Sequence, residues 1–189
     1  FDAVTPNVET WNSLLRSCVR AGHLDAAEDT LNRMTGDCKP NGRTWSTLLQ
    51  AYANKGKLNE AENTLERMDA QGLSLDLQSW GELFIAYRKK SECSRAKKAF
   101  ERIRLEYPNS QLGFFYKEVA MTYSNARQRP PKFLLDHENK ETLETRHADD
   151  IAYFLADALY QYGKDTGESS LDQALGLLRR IDTRLRSER

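Results

Sequence analysis

Residues 10–15 read TWNSLL and residues 44–49 read TWSTLL, and this sextet, copied 34 positions downstream, constrains the fold more than any other feature. Gly22 recurs as Gly56, and the series Leu24, Ala27, Leu31, Met34 recurs as Leu58, Ala61, Leu65, Met68. An internal period in the mid-thirties marks stacked helix pairs, each too small to bury its own apolar face and covered by its neighbour. Such a stack meets partners along a surface rather than in one pocket.

Within the first copy, residues 8–41, Trp11, Leu14, Leu15 and Cys18 fall at i, i+3, i+4 and i+7, which places them on one helical face. Thr10 is the N-cap candidate, since its hydroxyl can take a first-turn N–H. Gly22 fits the stop, where a left-handed residue costs least without a Cβ. Leu24, Ala27, Leu31 and Met34 mark the second helix, and the small Ala27 lets the two helices approach; Pro40 ends the unit. The second copy, 42–76, leads with Trp45, Leu48, Leu49 and Tyr52. A third, 77–109, carries Trp80, Leu83, Phe84 and Tyr87, then Cys93, Ala96, Phe100 and Ile103, with Ser91 in place of the turn glycine. The three tryptophans, flanked by leucines at helical spacing, read as core and not as stacking platforms. Pro6-Asn7 has the form of the Pro40-Asn41 that closes the first copy, so an earlier copy upstream is expected.

Residues 1–109 thus form a three-repeat domain, followed by a divergent helix and polar connector over 110–147 and a helix pair over 148–189. Leu112, Phe115, Tyr116, Val119, Ala120 and Tyr123 make a broad stripe with no partner helix directly after it. Residues 124–147 are polar and contain Pro130-Pro131, which predicts an extended connector with a short helix near 138–146. The last pair carries Ile151, Phe154, Leu155, Ala158, Leu159 and Tyr162, then Leu171, Ala174, Leu175, Leu178, Ile181 and Leu185, with a turn from Gly163 to Ser170. No segment alternates with period two, so the chain is all-α.

Lys plus Arg and Asp plus Glu number 28 each, but residues 77–109 hold eight basic against four acidic side chains while residues 1–76 hold eight against eleven. The run Arg88, Lys89, Lys90, Arg95, Lys97, Lys98, Arg102, Arg104 is therefore either an anionic-partner site or a solvated helix face. No stretch approaches the ~18–20 apolar residues of a membrane span, so no membrane partner is expected. Cys18, Cys38 and Cys93 form no CxxC pair and read as reduced thiols. His23, His137 and His147 share no metal-ligand spacing, and the acidic residues beside His147 suit a helix N-terminus. No nucleophile–base motif, phosphate loop or HExxH is present, so the chain is read as non-catalytic, with no metal and no cofactor.

Taken together, the period, the pairs Trp11-Asn12 and Trp45-Ser46, the Leu-Leu doublets, the turn glycines, the mid-helix alanines, the late methionines and Pro40-Asn41 resemble the pentatricopeptide repeat family. The tetratricopeptide pattern, with glycine after the first-helix leucine and proline shortly after the second helix, fits less well. The resemblance implies a right-handed α-solenoid of stacked antiparallel helix pairs that binds single-stranded RNA in mitochondria or chloroplasts, one nucleotide per repeat. It also implies that the fifth and last residues of a repeat choose the base: Asn12 with Asn41, leaning to a pyrimidine, and Ser46 with Asp76, leaning to a purine. Gly81 holds the corresponding place in the third copy and offers no side-chain hydrogen bond. At the second position, where the family usually has an aliphatic residue against the base, stand Glu9, Arg43 and Gln78; a negative charge at Glu9 is unfavourable beside RNA, whereas Arg43 can stack by its guanidinium plane. Phosphate contacts fall to Arg20, Arg43, Arg88, Lys89 and Lys90.

Two functions follow. One is a non-catalytic RNA-binding protein in organellar RNA metabolism or translation, touching single-stranded RNA or an RNA-containing particle. The other is a protein–protein scaffold subunit of a large organellar assembly such as a ribosome, with the aromatic helix 112–123 (Phe114, Phe115, Tyr116, Tyr123) as its docking face.

Overall fold

A computed structural model of the chain describes residues 6–108, 112–135, 148–166, 170, 172–177 and 179. All regular structure among the described residues is helical. The chain forms two compact units that divide between Ala86 and Tyr87.

The first unit holds α1 (Val8–Ala21), α2 (Leu24–Asn32), α3 (Gly42–Asn54), α4 (Leu58–Asp69) and most of α5 (Leu77–Lys90). Helices α1 and α2 pair, as do α3 and α4, and α3 lies against both members of the first pair. Ala27 and Ala61 are fully buried where the paired helices approach, and Leu15, Leu48, Leu49, Met68, Trp45 and Trp80 fill the core. The cap of α1 differs from the sequence expectation. Asn7, in extended conformation, accepts the Thr10 N–H at 2.9 Å, so Thr10 sits in the first turn and is not the cap. Asn41 caps α3 in the same way, and Asp76 accepts the Ser79 N–H at 2.8 Å to cap α5.

First helices end on one repeated device. The Gly22 N–H reaches Val19 O and the His23 N–H reaches Cys18 O, both at 3.0 Å, with Gly22 left-handed at φ 81°. These crossed bonds satisfy carbonyls that the helix would otherwise orphan. The same pair of bonds recurs around Gly56, then around Ser91 (φ 55°) and Arg127 (φ 51°) in the second unit.

Between the first two repeats a polar clamp supplements the apolar contact. The Tyr52 hydroxyl donates to Glu28 Oε2 at 2.7 Å, and Arg67 donates to Glu28 Oε1 at 2.8 Å and to Asn32 Oδ1 at 3.0 Å. The Arg67 guanidinium also lies 5.0 Å from the Trp45 ring centre, a spacing suited to a cation–π contact. Burial, then the Glu28 contact, pushes the Tyr52 phenol well above its ordinary value. The leucine doublets show which faces are covered: Leu48 is 0 % exposed, whereas Leu14, its counterpart 34 residues earlier, is 46 % exposed.

The second unit contains α6 (Cys93–Glu106), α7 (Gly113–Ala126), α8 (Lys132–Leu135) and α9 (Ala148–Thr166), and residues 172–177 are helical. Helix α7 does have partners, contrary to the expectation from sequence. It packs on α6 and, more extensively, on α9, which buries Phe115, Tyr116, Val119, Ala120 and Tyr123. Phe100 meets Tyr116 edge-on at 4.5 Å and stacks flat on Phe133 at 5.4 Å. Polar pairs join Lys117 to Asp150 at 3.1 Å, Ser124 to Asp157, and Arg127 to Asp165 at 3.8 Å. Partners rise together along both chains, so α7 and α9 run parallel, as consecutive first helices of a repeat must. First helices begin at residues 8, 42, 77, 113 and 148, so the period of about 35 outlasts the copied sequence.

Helix α9 continues to Thr166, so Gly163 lies inside it rather than opening the turn. After it, Ala174 and Leu177 are buried and Leu175 is 38 % exposed. The helix anticipated near 138–146 and the side chains of His137, His147, Leu171, Leu178, Ile181 and Leu185 lie outside the described residues. No helix among the described residues is long and apolar enough to cross a membrane.

Candidate nucleic-acid interface

Because α1 and α3 run in parallel register, the second turn of one first helix lies beside the cap of the next. That juxtaposition brings together the residues proposed as base readers. Asn12, 4 % exposed on α1, accepts the Thr44 hydroxyl proton at Oδ1 over 2.7 Å. Asn41, exposed at the cap of α3, accepts the Thr44 N–H at 3.1 Å and lies 3.0 Å from the same hydroxyl. Thr44 is thus the common partner of both asparagines, and its hydroxyl also accepts the Asn41 N–H at 3.1 Å to complete a capping box.

The next junction repeats the arrangement with different chemistry. Ser46 donates to Asp76 Oδ2 at 3.2 Å, while Ser79 donates its N–H to Oδ1 at 2.8 Å and its hydroxyl to Oδ2 at 3.1 Å. Gln50 Nε2 donates to the Ser79 hydroxyl at 2.9 Å. Ser79 stands where Thr44 stands one repeat earlier.

The two junctions differ in hydrogen-bond polarity. At the first, both asparagine oxygens are engaged, and the amide N–H₂ of the exposed Asn41 is the donor that remains at the surface. The Asn12 nitrogen is buried and has no partner among the described residues, at a cost of about 1–3 kcal/mol. At the second, the carboxylate accepts only and both serine protons point at it, so only lone pairs remain. Gly81, at the corresponding place on α5, is buried and adds no side-chain group.

Basic side chains divide into exposed and committed. Arg20, in the last turn of α1, and Arg43, in the first turn of α3, are exposed, as are Lys89 and Lys90 at the end of α5. Arg88 departs from the expectation of a phosphate contact. Its Nε lies 2.8 Å from Oε2 of Glu118, whose side chain is only 6 % exposed, so its charge is spent within the second unit. On α6, Arg95, Lys97 and Arg102 pair with Glu92, Glu101 and Glu106 one turn away, so much of that basic run is a self-neutralised surface. Glu9 and Gln78 are exposed.

Sequence reasoning missed Thr44, Ser79 and Gln50. A signal for the first two was present: a hydroxyl residue three places after a capping Asn or Asp, as in Asn41-x-x-Thr44 and Asp76-x-x-Ser79, is a first-turn capping pattern. Gln50 carries no such mark, because its role depends on the neighbouring repeat.

Comparison with known proteins gives the same architecture. The model of the PPR repeat family matches residues 6–51, and the PPR repeat model matches residues 36–69. No curated protein matches the chain. Among solved structures, the pentatricopeptide repeat protein PPR10 from maize superposes over 95 % of this chain with TM-score 0.51 and 18 % identity. PPR10 in complex with an 18-nt psaJ RNA element aligns over 94 % with TM-score 0.47 and 14 % identity. This chain spans about a third of those proteins, 34 % in each case. With the copied sequence, the capped first helices and the two family matches, residues 6–69 carry pentatricopeptide repeats.

Proposed function

We propose that the protein binds single-stranded RNA without catalysis, in the RNA metabolism or translation of mitochondria or chloroplasts. One observation carries this reading: at both junctions the fifth residue of a repeat and the last one are joined by hydrogen bonds, through the Thr44 hydroxyl at the first and directly at the second. Hydrogen-bond polarity then assigns the bases. Lone pairs at Ser46 and Asp76 call for adjacent donors on a Watson–Crick edge, and only guanine, with N1–H and N2–H₂, supplies two. A donor at Asn41, beside Asn12, suits a pyrimidine, whose O2 carbonyl, with N3 of cytosine or O4 of uracil, supplies acceptors on that edge. Arg20, Arg43, Lys89 and Lys90 serve phosphates, while Arg88 is taken up by Glu118.

Two base contacts at about 1–3 kcal/mol each leave the isolated protein a weak binder, so affinity rests largely on phosphate contacts. Four such contacts give a slope of log affinity on log salt of about −2.8, or roughly fifty-fold between 50 and 200 mM salt. The test is fluorescence anisotropy with short single-stranded RNA at those two salts. Reversing Arg43 and Lys89 to Glu should halve the slope; salt-insensitive binding, or no binding at low salt, would refute the reading. The scaffold alternative draws on the exposed Leu14 and on Glu9 at the second position, but not on helix α7, whose stripe is covered. A protein partner, in place of RNA, would then account for the first unit's exposed face.

A further inference from the structure

We infer that Gln50 is a positioning residue that sets which base the second junction selects. This inference rests on the base-reading role proposed for Ser46 and Asp76. Gln50 lies on α3 one turn beyond Ser46. Its partner is the Ser79 hydroxyl, 2.9 Å away. That hydroxyl has one proton, and a carboxylate 3.1 Å from it can only accept, so the proton points at Asp76. Gln50 must therefore offer its amide N–H₂ and not its carbonyl, which fills the serine lone pair and holds the hydroxyl in that direction. Asp76 Oδ2 receives two hydroxyl protons, from Ser79 and Ser46, and Oδ1 receives the Ser79 N–H. The bonds from Gln50 through Ser79, and from Ser46, thus converge on Asp76, and what Ser46 and Asp76 leave free is acceptors alone.

Replacing the donor at its head by an acceptor breaks that order. In Gln50→Glu two carboxylates compete for one serine proton, so Ser79 turns away from Asp76 or one carboxylate takes up a proton. Either change puts a donor, or an unanchored carboxylate, where guanine needs a fixed acceptor. Gln50→Lys presents donors only, so it keeps the order while changing the net charge by one. At the first junction the equivalent place is Arg16, likewise donor-only but exposed, and Thr44 takes the Asn41 N–H instead. Control by a residue at this place is therefore peculiar to the second junction.

The probes are four 12-nucleotide oligouridines carrying G, A, C or U at one central position, with affinities measured by anisotropy at low salt. Expected for the unaltered protein is a preference of about tenfold or more for the G probe over the A probe, the equivalent of ~1.4 kcal/mol. In Gln50→Glu that ratio should fall to within about threefold, while thermal unfolding followed by circular dichroism shows the protein folded; in Gln50→Lys the ratio should persist even though all four affinities rise together. Charge alone would scale all probes equally, and a merely structural role would impair Lys and Glu variants alike. A Glu variant that keeps the tenfold ratio, or a Lys variant that loses it as fully as Glu, overturns the role of Gln50 while leaving base reading intact. An unaltered protein that binds all four probes equally, or none, overturns base reading itself and this inference with it.

Discussion

Leu14 and Leu48 hold the same place in the copied sextet, yet truncating them should have very different consequences. Leu48 is 0 % exposed on α3, the helix that packs against both members of the first pair. Leu48→Ala removes three carbons from a closed core, about 2.4 kcal/mol by transfer at ~0.8 kcal/mol per methylene. The cavity left behind brings the total to about 3–4 kcal/mol. Leu14, 46 % exposed, keeps only about half of its side chain from water and encloses no void when shortened. Leu14→Ala should therefore cost about 1 kcal/mol. All three tryptophans, Trp11, Trp45 and Trp80, belong to the first unit, so urea unfolding followed by tryptophan fluorescence reports that unit alone. In thermal scans the two variants should fall by about 15 °C and 5 °C, at 4–8 °C per kcal/mol for a unit of this size. Costs within about 0.5 kcal/mol of each other, or a larger loss at Leu14, would show that the outer face of α1 is covered and that this account of repeat burial is wrong.

Other expectations follow from the same geometry. Ser91 is left-handed where the first two repeats have glycine, so Ser91→Gly should raise the unfolding midpoint through about 0.5–1 kcal/mol of relieved strain; a lower midpoint would mean the serine contributes a compensating contact. Arg88→Met strands Glu118 in a buried site and should cost about 3 kcal/mol by circular dichroism melting, whereas Arg88→Met with Glu118→Met should regain most of it. Burial pushes the Cys93 thiol up to about 11 from an ordinary 9. The unfolded chain then loses that proton first, and between pH 9 and 11 the thiol subtracts up to ~1.4 kcal/mol of stability per pH unit. Below pH 9 it contributes no slope. Burial likewise raises Tyr123, to about 12, which extends the alkaline loss. Cys93→Ala should flatten the slope between pH 9 and 11, and an unchanged slope would place its origin elsewhere.

The first two repeats were legible because their apolar positions are copied residue for residue, and the turns because Gly22 and Gly56 announce a left-handed cap. The later repeats keep the geometry while abandoning those letters. Ser91 and Arg127 adopt the same left-handed cap, held by backbone bonds that any residue can make, so the period survives where the sequence no longer shows it. Helix α7 looked unpaired because its partner α9 begins 35 residues later, beyond the reach of local pattern. Threonine and asparagine both cap helices, so residue type alone does not separate Thr10 from Asn7, and it is Asn7 that supplies the cap. Among candidate site residues the pairings Asn12 with Asn41 and Ser46 with Asp76 came from family resemblance, and the structure adds the Thr44 hydroxyl that joins the first pair and the Ser79 groups that hold Asp76 in the second. The ion pair of Arg88 with Glu118 spans 30 residues between helices, and no local spacing could have revealed it.

Asp76→Asn tests the central claim most directly. Asn caps a helix as well as Asp does, so the fold should hold while one acceptor of the second junction becomes an amide donor. Measured on the same substituted oligouridines, preference should move from guanine toward adenine, whose edge pairs one donor with one acceptor. Retention of guanine preference in the folded variant, or affinities indifferent to the base in both proteins, would contradict base reading at Ser46 and Asp76.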